Sequence, residues 1–181
     1  HSKKPNYQFE VSACYLLQLE NILDNGQIDI SNKYYVSKSD YDKWTIRIKV
    51  KEHDVVMTNA GRIAAFAQIP EGVVCGIGRN ITSIRPDSVS PNYFFLSLAS
   101  IDVQRQISTN LDHGAFFKSF NVKGIKALNL LRPTLAIEKR FEDSVKSMIK
   151  MRNTLKQENE KLISLRDWLL PMLMNGQVTV K

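Results

Sequence analysis

Most of the residue patterns on which disulfide-rich proteins, zinc proteins and common enzymes depend are missing from this 181-residue sequence. It has two cysteines, Cys14 and Cys75, which lie far apart in apolar stretches, and three scattered histidines. Without a Cys-x-x-Cys pair or a Cys/His cluster, a structural metal site is not expected. Isolated thiols in apolar stretches are typical of buried cysteines in a reducing compartment, so we expect a cytoplasmic protein.

Long apolar runs and catalytic motifs are missing as well. No apolar stretch approaches the roughly 18 residues of a membrane span, so none is predicted. Gly76–Ile81 has only part of the glycine pattern of a dinucleotide-binding loop, and no helix is predicted after it. His53 precedes Asp54, but neighbouring strand residues point to opposite faces, which argues against a catalytic pair. We expect no catalytic residue in this chain and no cofactor bound by it.

The charge balance points to an anionic partner. The formal net charge is +7, the pI is about 9.4 and 43% of the residues are apolar. The apolar share is ordinary for a folded domain, and the basic excess is spread along the chain. A polyanion such as nucleic acid is therefore favoured as a partner.

Residues 1–133 are predicted to form one α+β domain with a small mixed or antiparallel sheet. Apolar and basic residues alternate over Thr45–Lys51, which predicts a half-buried strand with cations on its outer face. A helix is predicted from Tyr93, and Phe9–Leu23 fits a strand and a helix equally. A hairpin turn is predicted at Pro70–Gly72. Further strands are predicted at residues 54–57, 63–69, 73–77, 80–85 and 125–131.

A long helix is predicted over residues 134–177, followed by a short tail at 178–181. The segment has no glycine before Gly176, and Asn175-Gly176 is a typical helix end. Pro171 is expected to kink the helix or to end its regular hydrogen bonding.

A seven-residue apolar repeat runs along this helix, which is typical of a coiled-coil seam. Its residues are Phe141, Met148, Leu155, Leu162 and Leu169. The row four residues later is apolar only at its ends, and its polar middle is expected to restrict partner and register. That row consists of Val145, Arg152, Asn159, Arg166 and Leu173. The alternative is a helix that folds back on its own domain.

Polar and basic residues near predicted turns are the candidates for DNA contact. Arginine suits guanine and asparagine suits adenine at major-groove edges, whereas lysine and serine suit phosphate. For each of them a solvated surface role is the alternative. The candidates are Arg47, Lys49, Asn59, Arg62, Arg79, Asn80, Lys118 and Ser119.

Four stretches of the sequence resemble the specificity subunits of type I restriction-modification enzymes. Leu165–Val178 resembles the C-terminal signature of that family, and His53–Ala64 resembles its "Gly-Asp-Ile-Leu … Gly-x-Ile-Gly" stretch. In the latter, His53 and Ala64 stand where the family has glycines. Gly78–Pro86 resembles the strand that follows this stretch in the family, and Gly114–Pro133 resembles the family's "Gly … strand … Pro" segment that leads into the long helix. The resemblance therefore covers most of residues 45–180.

The resemblance implies a non-catalytic target recognition domain at 1–133 and a spacer helix at 134–177 that pairs antiparallel with another such helix. It implies double-stranded DNA and modification subunits as partners, and through the latter a restriction subunit. S-adenosylmethionine is then expected on the modification subunit. Because this sequence has one domain and one helix, it corresponds to half of a full subunit, either a C-terminal half or a half-subunit. It is expected to form a homodimer through the long helix or to pair with a second half. The competing interpretation is a coiled-coil adaptor that binds protein instead of DNA.

Overall fold

The structure is a computed structural model that describes residues 5–113 and 118–177, without the side chains of residues 112, 113 and 118. The chain divides into two compact units, His1–Glu142 and Asp143–Lys181. Within the described residues, the first unit holds small β-sheets, short helices and the start of a long helix. The second unit holds the rest of that helix. The predicted α+β class with a long C-terminal helix is therefore confirmed.

The strands are short and fall into two sheets. In chain order the strands are β1 (Tyr7–Gln8), β2 (Tyr15–Leu17), β3 (Tyr34–Val36), β4 (Val55–Ala60), β5 (Arg62–Gln68), β6 (Gly76–Ile77), β7 (Ile81–Ile84), β8 (Asp112–His113) and β9 (Lys118–Ser119). The α-helices are α1 (Lys38–Trp44), α2 (Pro91–Leu98), α3 (Ile101–Thr109), α4 (Val122–Lys126) and α5 (Leu135–Met174).

The first sheet has the order β1-β3-β2-β6 and is buried around β2. Strand β2 pairs antiparallel with β3 and parallel with β6. Because strand residues alternate between faces, Leu17 packs into one apolar cluster while Leu16 packs into another with Val36 and Tyr41. Gly76 permits the close pairing of β6, since a Cβ there would lie 2.4 Å from the Leu16 side chain.

The second sheet has the order β5-β4-β9-β8, with β7 also paired to β4. Strand β4 lies between two apolar clusters, because Val56 packs on one side and Val55 and Met57 on the other. All three side chains are fully buried. Burial of an aliphatic side chain of this size contributes about 1.5–3 kcal/mol, so β4 is central to the stability of the domain.

The predicted strand over Thr45–Lys51 is wrong. Helix α1 ends at Trp44 with Thr45 as its C-cap, and the residues that follow are irregular. Val50 alone makes an isolated bridge, to Cys75. Ile46 is 81% exposed, so the alternation of apolar and basic residues does not mark a buried strand face here.

The predicted hairpin at Pro70–Gly72 is also wrong. Strand β5 pairs with the preceding β4 around Gly61, and β6 pairs with β2 of the other sheet. Gly61 has a φ of +80°, a conformation that glycine adopts without strain, so the tight turn forms there. The strands predicted at 54–57, 63–69 and 80–85 correspond to β4, β5 and β7.

The strand predicted at 125–131 is replaced by α4 and an irregular segment. The Asn121 side chain accepts a hydrogen bond from the Gly124 N–H at 2.9 Å and so begins a helical turn. The helix predicted from Tyr93 is confirmed as α2, which is separated from α3 at Ser100.

Helix α5 confirms the long helix, and its 40 residues correspond to about 60 Å. Pro171 lies inside its last turn, and the helix continues to Met174. Gly176 has a φ of +67°, and the Gln177 N–H donates to the Met172 carbonyl at 2.9 Å, so the predicted glycine stop is present.

Candidate nucleic-acid interface

Three of the segments predicted to approach DNA meet at one end of the second sheet. The Asn59 N–H donates to the Asn80 carbonyl at 2.9 Å, and the Phe120 N–H donates to the Asn59 carbonyl at the same distance. Ala60 lies opposite Ser119 in the register of β4 and β9. Asn59, Asn80 and Ser119 are thus held together by backbone hydrogen bonds, and we call these three residues the loop cluster.

The backbone of the loop cluster has two irregular features. Asn80 is exposed and has a φ of 62°, in the left-handed region that asparagine tolerates better than most residues. Strand β4 shifts register against β5 between Met57 and Asn59.

The Asn59 Oδ1 atom is buried and has no hydrogen-bond partner among the described residues. An unsatisfied buried polar atom costs about 1–3 kcal/mol, so a hydrogen-bond donor that reached this oxygen would stabilise the strand end.

Two further candidates belong to the same neighbourhood by sequence. Arg79 is exposed and directly precedes Asn80. Lys118 directly precedes Ser119, and its side chain lies outside the described part of the structure. The prediction that Lys118 contacts phosphate stays a prediction.

Arg62 is engaged by its own domain. Its Nη2 donates to the Ile22 carbonyl, and its Nε lies 3.7 Å from an Asp24 carboxylate oxygen. The Nε atom is itself buried. This guanidinium therefore ties the β4–β5 turn to the segment that contains Ile22 and Asp24. It offers fewer free donors for DNA than the sequence pattern indicated.

Arg47 and Lys49 lie in the irregular segment after α1 and are exposed. The Lys49 ammonium lies 5.8 Å from the centre of the Tyr41 ring, and the Lys49 carbonyl accepts from Arg85 at 2.9 Å. Arg85 in turn makes a bidentate pair with the buried Asp54 carboxylate. These two candidates are positioned by a different part of the domain from the loop cluster.

A surface pocket next to Asn80 was not predicted from the sequence. Its volume is about 390 Å³. Two tyrosine rings, Tyr7 and Tyr34, meet there edge to face at 5.4 Å. The Tyr34 hydroxyl donates to the Glu20 carboxylate, and this bond raises the pKa of Tyr34 to about 12. The lining consists of Pro5, Tyr7, Gln18, Leu19, Glu20, Tyr34, Arg79 and Asn80.

No local signal in the sequence indicates this pocket. Its residues come from β1, from the turn after β2, from β3 and from the turn before β7. They meet because β3 pairs with both β1 and β2, and because Gly78 donates its N–H to the Leu17 carbonyl at 2.8 Å. Only the tertiary pairing brings these segments together.

The start of α5 is clamped to α2 by two carboxylates within the first unit. Glu138 accepts from the Ser90 N–H at 2.6 Å, and Glu142 accepts from the Tyr93 N–H at 3.2 Å. Glu142 also accepts from the Asn92 side chain at 2.8 Å. The first N–H groups of a helix have no partner within it, so both glutamates cap α2 from α5.

Glu138 is the more deeply placed of the two carboxylates, with its side chain 1% exposed. The hydrogen bonds from Ser90 lower the pKa of Glu138, and the Arg132 guanidinium, 3.3 Å away, lowers it further. The ionised carboxylate is therefore the form that holds the clamp.

The described part of α5 leaves a regular series of apolar side chains exposed. Met148, Leu155 and Leu162 of the predicted seam are 60%, 52% and 61% exposed. Met151 and Leu165 are exposed three residues after two of them. Together these five positions alternate in steps of three and four residues, with Glu158 as the polar interruption, and we call them the apolar stripe.

The other predicted seam residues differ in exposure. Phe141 packs edge to face on Tyr93 at 5.7 Å within the first unit and is 37% exposed. Val145 and Leu169 are half-buried, and Asn159 is exposed. The assignment of these residues to a helix–helix interface stays a prediction.

No group of three or more histidine, cysteine or carboxylate side chains is placed to hold a metal ion in residues 5–113 and 118–177. Over the same residues, no helix combines the length and the apolar character needed to cross a membrane.

Neither a family model nor a curated protein matches this sequence. Among solved structures, the chain is similar to one from work described as "Structural basis underlying complex assembly and conformational transition of the type I R-M system". The identity is 14% and the TM-score is 0.42. The match covers 73% of this chain and 35% of the solved chain, so this chain spans about a third of that protein's length.

Proposed function

We propose that this chain is a non-catalytic DNA recognition subunit of a type I restriction-modification enzyme, corresponding to one half of a full specificity subunit. Residues 1–133 form the target recognition domain and 134–177 form the spacer helix. The sequence resemblance supports the family, and the convergence of Asn59, Asn80 and Ser119 from separate segments supports the site.

The loop cluster carries this proposal. Asparagine amides suit adenine edges, and a serine hydroxyl suits a phosphate oxygen. Arg79 adds an exposed guanidinium beside Asn80, and the chain as a whole is basic. Polar readers on loops, held by a buried strand such as β4, match the general way in which rigid scaffolds present binding residues.

The apolar stripe supports pairing of two chains. A helix with Met148, Leu155 and Leu162 mostly exposed gains stability when a second apolar helix covers them. In this proposal two copies pair antiparallel through α5 and form a homodimer. A two-fold dimer reads a palindromic target, because the symmetry of the protein is mirrored in the site.

Chemistry is supplied by partners in this proposal. The modification subunits hold S-adenosylmethionine and methylate the DNA that this chain selects. A restriction subunit joins through them, in the cytoplasm. The exposed end of α5, with Trp168, Leu170 and Met174, is the surface proposed to dock on the modification subunits.

A salt titration of duplex binding tests the proposal. A protein that neutralises six to ten phosphates loses about a thousandfold or more in affinity between 50 and 200 mM salt. The intact chain is titrated with duplex DNA by fluorescence anisotropy at both salt concentrations. Affinity that falls steeply supports the proposal, and affinity that does not change with salt contradicts it.

The second candidate function, a coiled-coil adaptor that binds protein, is favoured by the apolar stripe alone. It predicts dimerisation without duplex binding. Sedimentation and DNA titration of the same preparation separate the two candidates, because the recognition subunit dimerises and binds DNA whereas the adaptor only dimerises.

A further inference from the structure

The pocket beside Asn80 is lined by charges of opposite sign. Glu20 and Arg79 both line it, and both act on the Tyr7 hydroxyl. Burial is the main cause of the raised pKa of Tyr7; the Glu20 charge adds to the rise and the Arg79 charge opposes it. A carboxylate and a guanidinium are therefore held within electrostatic reach of the same phenol.

Glu20 and Arg79 form no ion pair with each other among the residues that the structure describes. Glu20 accepts one hydrogen bond from Tyr34, and a carboxylate has about four acceptor positions. Both side chains belong to exposed residues. The same pocket is thus lined by an oriented acceptor and by a cation with five donors.

We propose that Glu20 and Arg79 read one G·C base pair in the major groove, in which Arg79 donates to guanine O6 and N7 and Glu20 accepts from the cytosine N4 amino group. This inference rests on the proposed function. A G·C edge presents two acceptors on guanine beside one donor on cytosine, which is the complement of this pair of side chains. An A·T edge presents the thymine O4 acceptor where the carboxylate needs a donor.

The carboxylate distinguishes base reading from backbone binding. A surface that only holds phosphates loses affinity through a carboxylate, because both are anions. Glu20 is nonetheless oriented by the Tyr34 hydroxyl, next to the loop cluster. Such a residue lowers non-specific affinity and adds discrimination at one base pair.

The test is a selection of bound sequences from a random duplex library by the intact chain and by two variants, Glu20→Gln and Arg79→Ala. The matched controls are Glu71→Gln and Arg105→Ala, which change the same charges at exposed positions outside the pocket. Far-UV circular dichroism and a thermal melt establish that each variant is folded.

The wild-type chain and both controls are expected to select a motif that contains one strongly preferred G·C pair. Both pocket variants are expected to lose preference at that pair by about tenfold or more while the rest of the motif persists. Glu20→Gln is also expected to bind a scrambled duplex more tightly than the wild type does.

Two results overturn the inference, and they differ in what they say about the proposed function. If the wild type selects a motif and folded pocket variants select the same motif unchanged, the pocket assignment fails and the proposed function stands. If the wild type selects no motif at all, the proposed function fails and the pocket assignment fails with it.

Discussion

Glu138, at the start of the long helix, accepts a 2.6 Å hydrogen bond from the backbone N–H of Ser90, at the start of α2. The two residues are 48 positions apart in the chain. The first turn of one helix therefore caps the first turn of another. Glu142 repeats the contact one turn later through Tyr93 and Asn92, so the helix root is fixed at two points.

The first prediction concerns the charge of this cap. Glu138→Gln keeps the shape of the side chain but removes the carboxylate that faces both the α2 N-terminus and Arg132. We expect a lower melting temperature, because the helix dipole and the guanidinium lose their anion. Glu71→Gln, at an exposed position outside both the clamp and the apolar stripe, is the matched control. Equal melting temperatures for the two variants would contradict the clamp.

The second prediction follows from the lowered pKa of Glu138. The folded state holds the carboxylate ionised, and the unfolded chain binds the proton more readily. The extra stability is therefore fully present above the ordinary glutamate pKa of about 4.3 and is lost as pH falls through the lower, folded value.

The check is the difference in urea midpoint between wild type and Glu138→Gln, measured from pH 7 downward. This difference is expected to stay constant to about pH 5 and to shrink below it. A difference that grows as pH falls would have the wrong sign for a carboxylate with a lowered pKa.

The third prediction concerns the predicted seam. Replacing Leu155 and Leu162 with Asp places charges on the apolar stripe and is expected to abolish pairing, with the domain of residues 1–133 still folded. Sedimentation velocity measures the oligomeric state, and the near-UV spectrum reports on the folded domain. Gln157→Asp, on a neighbouring face, is expected to leave pairing intact. A double variant that still sediments as a dimer shows that the seam lies elsewhere.

The fourth prediction decides which row of α5 completes the seam. Met151 and Leu165 are exposed and lie seven residues before and after Glu158, so Glu158 belongs to the apolar stripe. The row predicted from the sequence contains Asn159 instead. If the stripe is the seam, Glu158→Leu fills its one polar position and tightens the dimer, and Asn159→Leu has little effect. The dimer dissociation constants of the two variants, measured by analytical ultracentrifugation, give the answer. The reverse order supports the row that contains Asn159.

The elements with local signals could be predicted from the sequence. The glycine-free stretch that ends at Gly176 marks α5, and the buried run Val55–Met57 marks β4. Ser90-Pro91 marks the start of α2. Each signal comes from residues close together in the chain, and each reflects a physical preference of the backbone.

The parts that depend on distant pairing could not be predicted. The parallel pairing of β2 with β6 and the irregular path after Trp44 depend on which strands find each other. The pocket depends on the same pairing. The sequence pattern therefore did not indicate Glu20 and Tyr34 as site residues, although it did indicate Arg79 and Asn80. The role of the two clamp glutamates could not be predicted from the sequence either, because their partners lie about fifty residues away.

Recognition of a DNA sequence by this chain is tested most directly by the ratio of two affinities at 150 mM salt. The intact chain is titrated with the duplex that it selects from a random library and with a scrambled duplex of the same composition. The selected duplex is expected to bind more tightly by about a thousandfold or more. Equal affinity for the two duplexes would contradict sequence recognition by this chain.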